Sequence, residues 1–418
     1  MNVIVVGGGP AGMVASIIAA QNGNAVTLIE HNDRLGRKLL ATGNGRCNLT
    51  NAILDEEPWE EYARFYPEDL KNNRKTLVKA VMTRFGYADT LRFFKNLGLI
   101  TRNNGGLIYP YSEQAQAVLD VLLFKIRDLG IKVVTETEVR RIDYKGEKSG
   151  FSVMTDKQTF NANRVILATG SKAQPKLGSD GSGYEILKGL GHRINKVIPG
   201  LVQLTCKGKY FKSVSGTRIK AHLSLCDDRL KVYEESGQLQ FTDYGLSGIV
   251  VMNLSNRLRL CKGKVSIVCD FMEDTDRSSL RNIFVNKIQN NPERQSGELM
   301  IGILPKKLGD IVLNESGLGY NRKYKDIKDS EVDGIVSLIK EFEVEITGTK
   351  TMNEAQISLG GLEVSELTEN LESKIVPGLF VAGELLDIHG DCGGYNLQLA
   401  ISFGAVAGML GNGGEYDN

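Results

Sequence analysis

Across 418 residues there are six cysteines, four histidines, nine prolines and one tryptophan. The cysteines (Cys47, Cys206, Cys226, Cys261, Cys269, Cys392) form no CxxC pair, which argues against a zinc knuckle or a disulfide framework and for reduced thiols. Four histidines are too few for a His-rich metal site, so no metal is expected. An excess of one charge is also lacking. Lys+Arg 51 against Asp+Glu 50 leaves a net charge of +1, so no global field draws the chain to nucleic acid or to an anionic bilayer. No stretch reaches the roughly 18 apolar residues of a membrane span. Residues 1–29 lack any charged side chain, and superficially resemble a leader or an anchor. They have no basic start, however, and Gly7-Gly8-Gly9-Pro10 interrupts the apolar run. The expectation is a cytoplasmic protein with no membrane partner.

What is present points to a folded chain. The length exceeds the roughly 100 to 200 residues of one domain, so two or three domains are expected. Hydrophobic residues at 41% and charged residues at 24% suit packed cores. Glycine is abundant, 47 residues, and falls in short clusters, as where backbone must approach a ligand.

Residues 2–6 (NVIVV) read as a strand buried on both faces. GGGPAG follows, then a helix of small and apolar residues from Ala11 to Gln21 and a second strand at 25–30, together a βαβ unit. Helical spacing over 113–129 precedes a strand at 131–139, and FSVMT and RVILATG add two more. From about 195 to 272 short alternating runs predict an antiparallel β-rich domain, and 276–345 carries helical spacing. The tail returns to strand, glycine-rich loop and apolar helix.

Four blocks carry chemistry. Gly7-x-Gly9-x-x-Gly12 lies between a strand and a helix. Its glycines permit a tight turn, a close approach of backbone to a pyrophosphate, and close helix packing, while the helix N-terminus attracts the anion. Glu30 stands at the end of the second strand, where a carboxylate can accept hydrogen bonds from a ribose. The second block, GRKLLATGNGRCNLTN at 36–51, gathers Arg37, Lys38 and Arg46 with side-chain amides around Gly43 and Gly45. A bare NAD site needs no such extension. FAD does, because its reduced form gains negative charge that a cation stabilises. The third block ends a buried strand at Thr169-Gly170, and the fourth runs from GLFVAGELLD through GGYNLQ into an uncharged helix.

In this order the blocks resemble the two-dinucleotide-binding-domain flavoproteins related to fumarate reductase and glutathione reductase. More narrowly, LGRKLLATGNGRCNLTN, IYPYSEQAQAV, ATGSKAQPKLGSDGSGY, LQFTDYGLSG and VAGELLDIHGDCGGYNLQ resemble a bacterial FAD-binding family labelled aminoacetone oxidase family or bile-acid-pathway reductase-like. One departure is visible: Ile249 stands where the family usually has proline. The resemblance implies an α/β fold with a Rossmann-like FAD-binding domain built from both chain ends, an inserted β-barrel-like domain and a small helical subdomain. The expected boundaries are 1–192, 193–275, 276–345 and 346–418. It implies FAD contacts from Gly7, Gly9, Gly12, Glu30, Arg37, Lys38, Gly45, Arg46, Val139, Thr169, Gly170, Gly383, Asp387, Asn396 and Leu397. Tyr395, His389 and Arg46 are candidate acid or base groups because they lie in or beside these loops.

The expected activity is an FAD-dependent oxidoreductase that exchanges hydride with a small-molecule substrate. No second GxGxxG appears, so NAD(P)H would act as electron donor without a nucleotide domain of its own. A NAD(P)H-linked reductase is favoured, with an amine or aminoketone oxidase using oxygen as the alternative. An FAD-dependent tRNA-modifying protein is a further alternative, because KGKYFK and RLRLCKGK are basic. A lysine-protected strand edge explains them equally well, and no nucleic-acid partner is expected. Oligomeric state is left open.

Overall fold

Strand β1 (Asn2–Val6) is buried at every position after Asn2. Such a strand must be covered on both faces. In the computed structural model, which describes residues 1–55 and 68–411, it is the centre of a five-stranded parallel sheet. The order is β19 (Leu379–Val381), β10 (Arg164–Leu167), β1, β2 (Ala25–Ile29) and β6 (Lys132–Val134). Register puts Ile29, Val6, Leu167 and Val381 in one row. The loops that follow these four residues therefore open along the same carboxyl edge, where parallel sheets bind ligands.

Helix α1 (Pro10–Gln21) packs against the C-terminal helix α11 (Tyr395–Gly408) through small residues. A Cβ on Gly404 would stand 2.3 Å from the Ala11 carbonyl oxygen, and one on Gly408 2.6 Å from that of Ala15. Both helices are apolar all round and buried, as their uncharged sequences require. Helices α2 (Arg37–Ala41), α3 (Glu68–Arg84), α4 (Tyr87–Asn96), α5 (Ala115–Asp128) and α6 (Ser182–Gly189) complete this unit. Small antiparallel sheets do so too: β3 (Thr50–Asn51), β5 (Leu107–Pro110) and β4 (Thr101–Asn104) form one, β7 (Val139–Tyr144), β8 (Phe151–Thr155) and β9 (Thr159–Ala162) another. The strand expected at 131–139 is two strands, broken where Glu136 adopts φ 50° and Thr137 donates its N–H to the Glu30 carbonyl.

The chain divides into two compact units, Met1–Gly200 with Met352–Asn418, and Leu201–Thr351. The second contains a closed six-stranded barrel in the order β12 (Leu204–Cys206), β15 (Gly245–Ser247), β14 (Leu230–Phe241), β13 (Arg218–Asp227), β16 (Val265–Asp270) and β17 (Phe342–Thr349). It also holds α7 (Ile249–Arg257), α8 (Arg277–Asn290), α9 (Lys306–Glu315) and α10 (Asp329–Lys340). Leu223, Leu225, Ile267 and Val344 of the barrel share one core with Leu280, Phe284, Val312, Ile335 and Ile339 of the helices. The helices thus form no separate subdomain.

The boundaries expected at 193 and 346 shift for a reason of pairing. Strand β11 (Ile194–Gly200) pairs with β18 (Ile357–Leu362) in the first unit, while β17 closes the barrel from beyond the helices. Among the described residues, no helix is long and apolar enough to cross a membrane.

Candidate functional site

The three fingerprint glycines do different work. A Cβ on Gly7 would lie 2.4 Å from the Ala168 carbonyl oxygen, and one on Gly12 1.8 Å from that of Gly7, so both keep strand, turn and helix in contact. Gly9 has nothing within 4 Å of its Cβ position. It caps α1 without a side-chain hydrogen bond, and the helix carries no charge in its first turn. An open glycine at an uncapped helix N-terminus is an anion cradle. Beside it, Glu30 is buried; its Oε2 accepts the Gly8 N–H at 2.7 Å and its Oε1 accepts two N–H groups of Asn32. Val139 opens β7, two residues beyond the Thr137 N–H that is bonded to Glu30.

The second block turns sharply. Gly43, Asn44, Gly45 and Cys47 all have positive φ. Arg37 donates to Asn32 Oδ1 at 2.6 Å and to the Lys176 carbonyl at 3.1 Å, which pins the loop after β2 to the loop after β10. Lys38 donates to Glu384 Oε2 at 2.6 Å. Arg46 lies 4.9 Å over the Tyr109 ring and 3.7 Å from Glu113 Oε2. Cys47 is fully buried, and burial pushes its thiol up to about 12, so it packs as a neutral side chain. The Asn48 Oδ1 and Thr50 Oγ1 atoms nearby are buried and have no hydrogen-bond partner.

The third and fourth blocks meet this loop. Thr169 Oγ1, just past β10, is another buried oxygen without a partner, and Gly170 follows with φ 78°. Gly383 adopts φ 76° after β19, and a Cβ there would touch that of Ala11 at 3.0 Å. Glu384 receives Lys38 and, at 3.3 Å, the hydroxyl of Ser171. Asn51 donates to the Gly393 carbonyl at 3.0 Å. Ser358, Gly383, Glu384, Ile388, His389 and Asn396 line a small cleft.

Two of the expected cofactor contacts, Asp387 and Asn396, have their side chains engaged within the protein. Asp387 is fully buried, and its carboxylate accepts from Arg74 at 2.6 Å, Asn195 at 2.9 Å and the Gly360 N–H at 3.2 Å. Its carboxylate is thus engaged within the protein, and the carboxylate that lines the cleft is that of Glu384, three residues earlier. Asn396 uses its side chain on the 390–391 turn, accepting from the Gly390 N–H and donating to the Gly390 and Asp391 carbonyls. That leaves its main chain, with that of Leu397, in the first turn of α11. Of the acid or base candidates, His389 lines the cleft, Arg46 turns to Tyr109 and Glu113, and the Tyr395 ring packs on Gly393. Sequence reasoning missed Glu384, although a carboxylate right after a buried strand and Ala-Gly repeats the pattern of Glu30 after β2.

FAD fits these residues. The open Gly9 and the free first turn of α1 suit a pyrophosphate, Glu30 suits a ribose, and the partnerless oxygens of Asn48, Thr50 and Thr169 suit the donors of a polar ligand.

The fold has relatives along its whole length. The chain is 38% identical over 410 residues to the 3-dehydro-bile acid delta(4,6)-reductase of Clostridium scindens, covering 97% of each chain. It is 27% identical over 406 residues to the ribosomal RNA dihydrouridine synthase of Escherichia coli, covering 96% of this chain and 95% of that one. The crystal structure of 3-ketosteroid-delta4-(5alpha)-dehydrogenase from Rhodococcus jostii shares the fold at 16% identity, with a TM-score of 0.50, 98% of this chain and 96% of that chain covered. Residues 1–410 match the HI0933-like protein Rossmann domain, and the chain belongs to this family of FAD-binding Rossmann proteins.

Proposed function

We propose that this chain is an FAD-dependent reductase that saturates a carbon–carbon double bond conjugated to a carbonyl in a small, largely apolar molecule, with 3-oxo steroid skeletons as the first class to try. That it is an FAD-dependent oxidoreductase follows from its family and its reductase relative. The observation that carries the finer reading is the end-to-end 38% identity to a bile-acid delta(4,6)-reductase. Bound FAD supplies hydride transfer at N5. The chain's own residues bind and orient: Gly9 and α1 hold the diphosphate, Glu30 the ribose, and Lys38 with Glu384 the polar chain toward the flavin ring. The first turn of α11, whose N-cap Gly394 makes no side-chain hydrogen bond, would offer its positive dipole end to negative charge on the ring. His389, which lines the cleft with Glu384, is the group we assign to hand over a proton. NAD(P)H is the proposed electron donor.

A second reading has its own support. Two relatives, from Escherichia coli and Haemophilus influenzae, are ribosomal RNA dihydrouridine synthases, and a dihydrouridine is also the product of saturating such a bond. Against an RNA substrate, Lys207 and Lys264 of the basic stretches converge on Glu345 at 3.5 and 2.9 Å, which reduces the charge they offer phosphate.

The test is an anaerobic titration of the yellow holoprotein with NADH and NADPH, followed by 3-oxo-4-ene steroids and, separately, by ribosomal RNA fragments. Bleaching by a nicotinamide and reoxidation by the steroid is the expected result. Reoxidation by RNA alone would transfer the assignment to the second reading. A flavin that only an amine or aminoketone bleaches, with oxygen consumed once air is admitted, would replace both by the oxidase, and a protein that takes up no FAD would sink all three.

A further inference from the structure

Helix α3 buries Leu77, Val78, Val81 and Met82, and one turn before them, on the same stripe, stands Arg74 with no exposed surface. A leucine there would be ordinary. A guanidinium is costly to bury, and it is retained only where charge partners and hydrogen bonds compensate.

Its partners come from distant parts of the chain. Arg74 Nε donates to the Asp387 carbonyl at 2.9 Å and Nη2 to the Asp387 carboxylate at 2.6 Å, so main chain and side chain of one residue are gripped together. Nη2 also lies 3.6 Å from Glu363. Asn195 bridges the two carboxylates, donating at 2.9 Å to each, and Asp387 accepts the Gly360 N–H. Burial pushes the Glu363 carboxyl up, but its bonds to Asn195 and Ser365 and the nearby Arg74 outweigh that and hold it below the usual range.

What this network fixes is the segment on either side of Asp387. Gly383 and Glu384 precede it and Ile388 and His389 follow it, and all four line the cleft. Asp387 faces inward between them. Turning such a segment by a small angle would move Glu384 and His389 together.

We propose that Arg74 is the positioning residue for Gly383–His389, holding the cleft wall from behind without touching the ligand. The proposal rests on the reading of this cleft as the flavin site. It assigns to α3, a helix outside every recognised motif, control over how tightly and in what geometry the flavin is held.

The experiment is FAD titration of apoprotein by flavin fluorescence quenching, with the visible spectrum of each FAD-saturated protein, for wild type, Arg74→Met, Asp387→Asn and Arg74→Lys. Arg74→Met and Asp387→Asn are expected to bind FAD about tenfold more weakly or worse, the scale of loss from a small misplacement of site groups. Their bound-flavin bands should also shift from those of wild type, while Arg74→Lys recovers part of both. Should Arg74→Met fail to fold, Asp387→Asn, which keeps size and shape, carries the same test. Variants that lose thermal stability yet hold FAD with wild-type affinity and spectrum would reduce Arg74 to a structural brace and overturn the proposal alone. A wild-type protein that takes up no FAD would overturn the flavin reading with it.

Discussion

Single residues separate folding from binding most cleanly at the fingerprint. Gly12→Ala forces a Cβ to within 1.8 Å of the Gly7 carbonyl oxygen, and backbone cannot yield as a flexible side chain does. Overpacking of this kind costs about 1 to 3 kcal/mol or more, so Gly12→Ala should lower the melting temperature and empty the site together. Gly9→Ala adds a methyl to open space at φ −75°, which any residue adopts. It should melt within a few degrees of wild type by calorimetry while losing FAD affinity, and equal FAD affinity in Gly9→Ala would remove Gly9 from the diphosphate site. Glu384→Gln separates the same effects differently. Its pair with Lys38 is about one-fifth exposed on both sides, and partly exposed pairs contribute less than about 1 kcal/mol. Little stability should be lost, whereas FAD binding should weaken about tenfold if the carboxylate holds the ligand, one charge-assisted hydrogen bond being worth roughly that. Cys47 offers a chemical check on the loop. Because burial raises its thiol to about 12, raising pH from 7 to 9 should not expose thiolate there. Mass spectrometry after iodoacetamide should find Cys47 unmodified until the protein unfolds, with the less buried Cys392 modified first.

Elements were legible in proportion to how far their patterns came from local physics. The βαβ start, strand Arg164–Leu167 and helix Ala115–Asp128 follow from uninterrupted apolar runs and from 3.6-residue spacing. The fingerprint glycines were readable because turn, approach and packing each demand the absence of a Cβ. Strand β17 was not found, although Phe342 and Val344 alternate inward, because Glu343 and Glu345 between and after them read as the end of a charged helical stretch. Arg74 was missed for the opposite reason: in KNNRKTLVKA it looks like one more solvated cation, and only its place on the Leu77–Val78–Val81 stripe marks it as buried. The partners of Asp387, Arg74, Asn195 and Gly360, come from distant segments that no local pattern could supply. Another such clasp ties the loop after β18 to the turn between α6 and β11. Glu366 accepts from the Arg193 side chain and main chain and faces buried His192 at 2.8 Å, whose other nitrogen meets Ser373 at 3.0 Å. Burial raises the Glu366 carboxyl, but these hydrogen bonds prevail and hold it below its ordinary value. A carboxyl lowered by folding adds stability that is complete above its unfolded value of about 4.3 and disappears as pH falls through the folded one. Glu366→Gln should therefore flatten the loss of stability below about pH 5 in urea melts at stepped pH; an unchanged slope would show that the clasp carries no acid-linked stability.

At the scale of the whole molecule, every residue assigned to FAD belongs to the unit made of both chain ends, and the barrel unit interrupts that unit rather than contributing to its sheet. The interruption is topologically cheap, since the chain enters and leaves the barrel side by side. The Lys350 N–H donates to the Gln203 carbonyl at 2.9 Å, and β12 and β17 pair directly between these points and the barrel wall. A unit whose two ends meet, with its own core of barrel and helix side chains, has the properties of an independently folding insertion. Residues 201–351 expressed alone should melt in one cooperative transition by circular dichroism and bind no flavin. The reciprocal protein, with 201–351 replaced by a short Gly-Ser linker, should keep the five-stranded sheet and the yellow colour, because β11 and β18 are left paired at the splice. A colourless reciprocal protein that is nevertheless folded would mean that residues of the barrel unit hold the flavin too, and the assignment of the site to the chain ends alone would have to be given up.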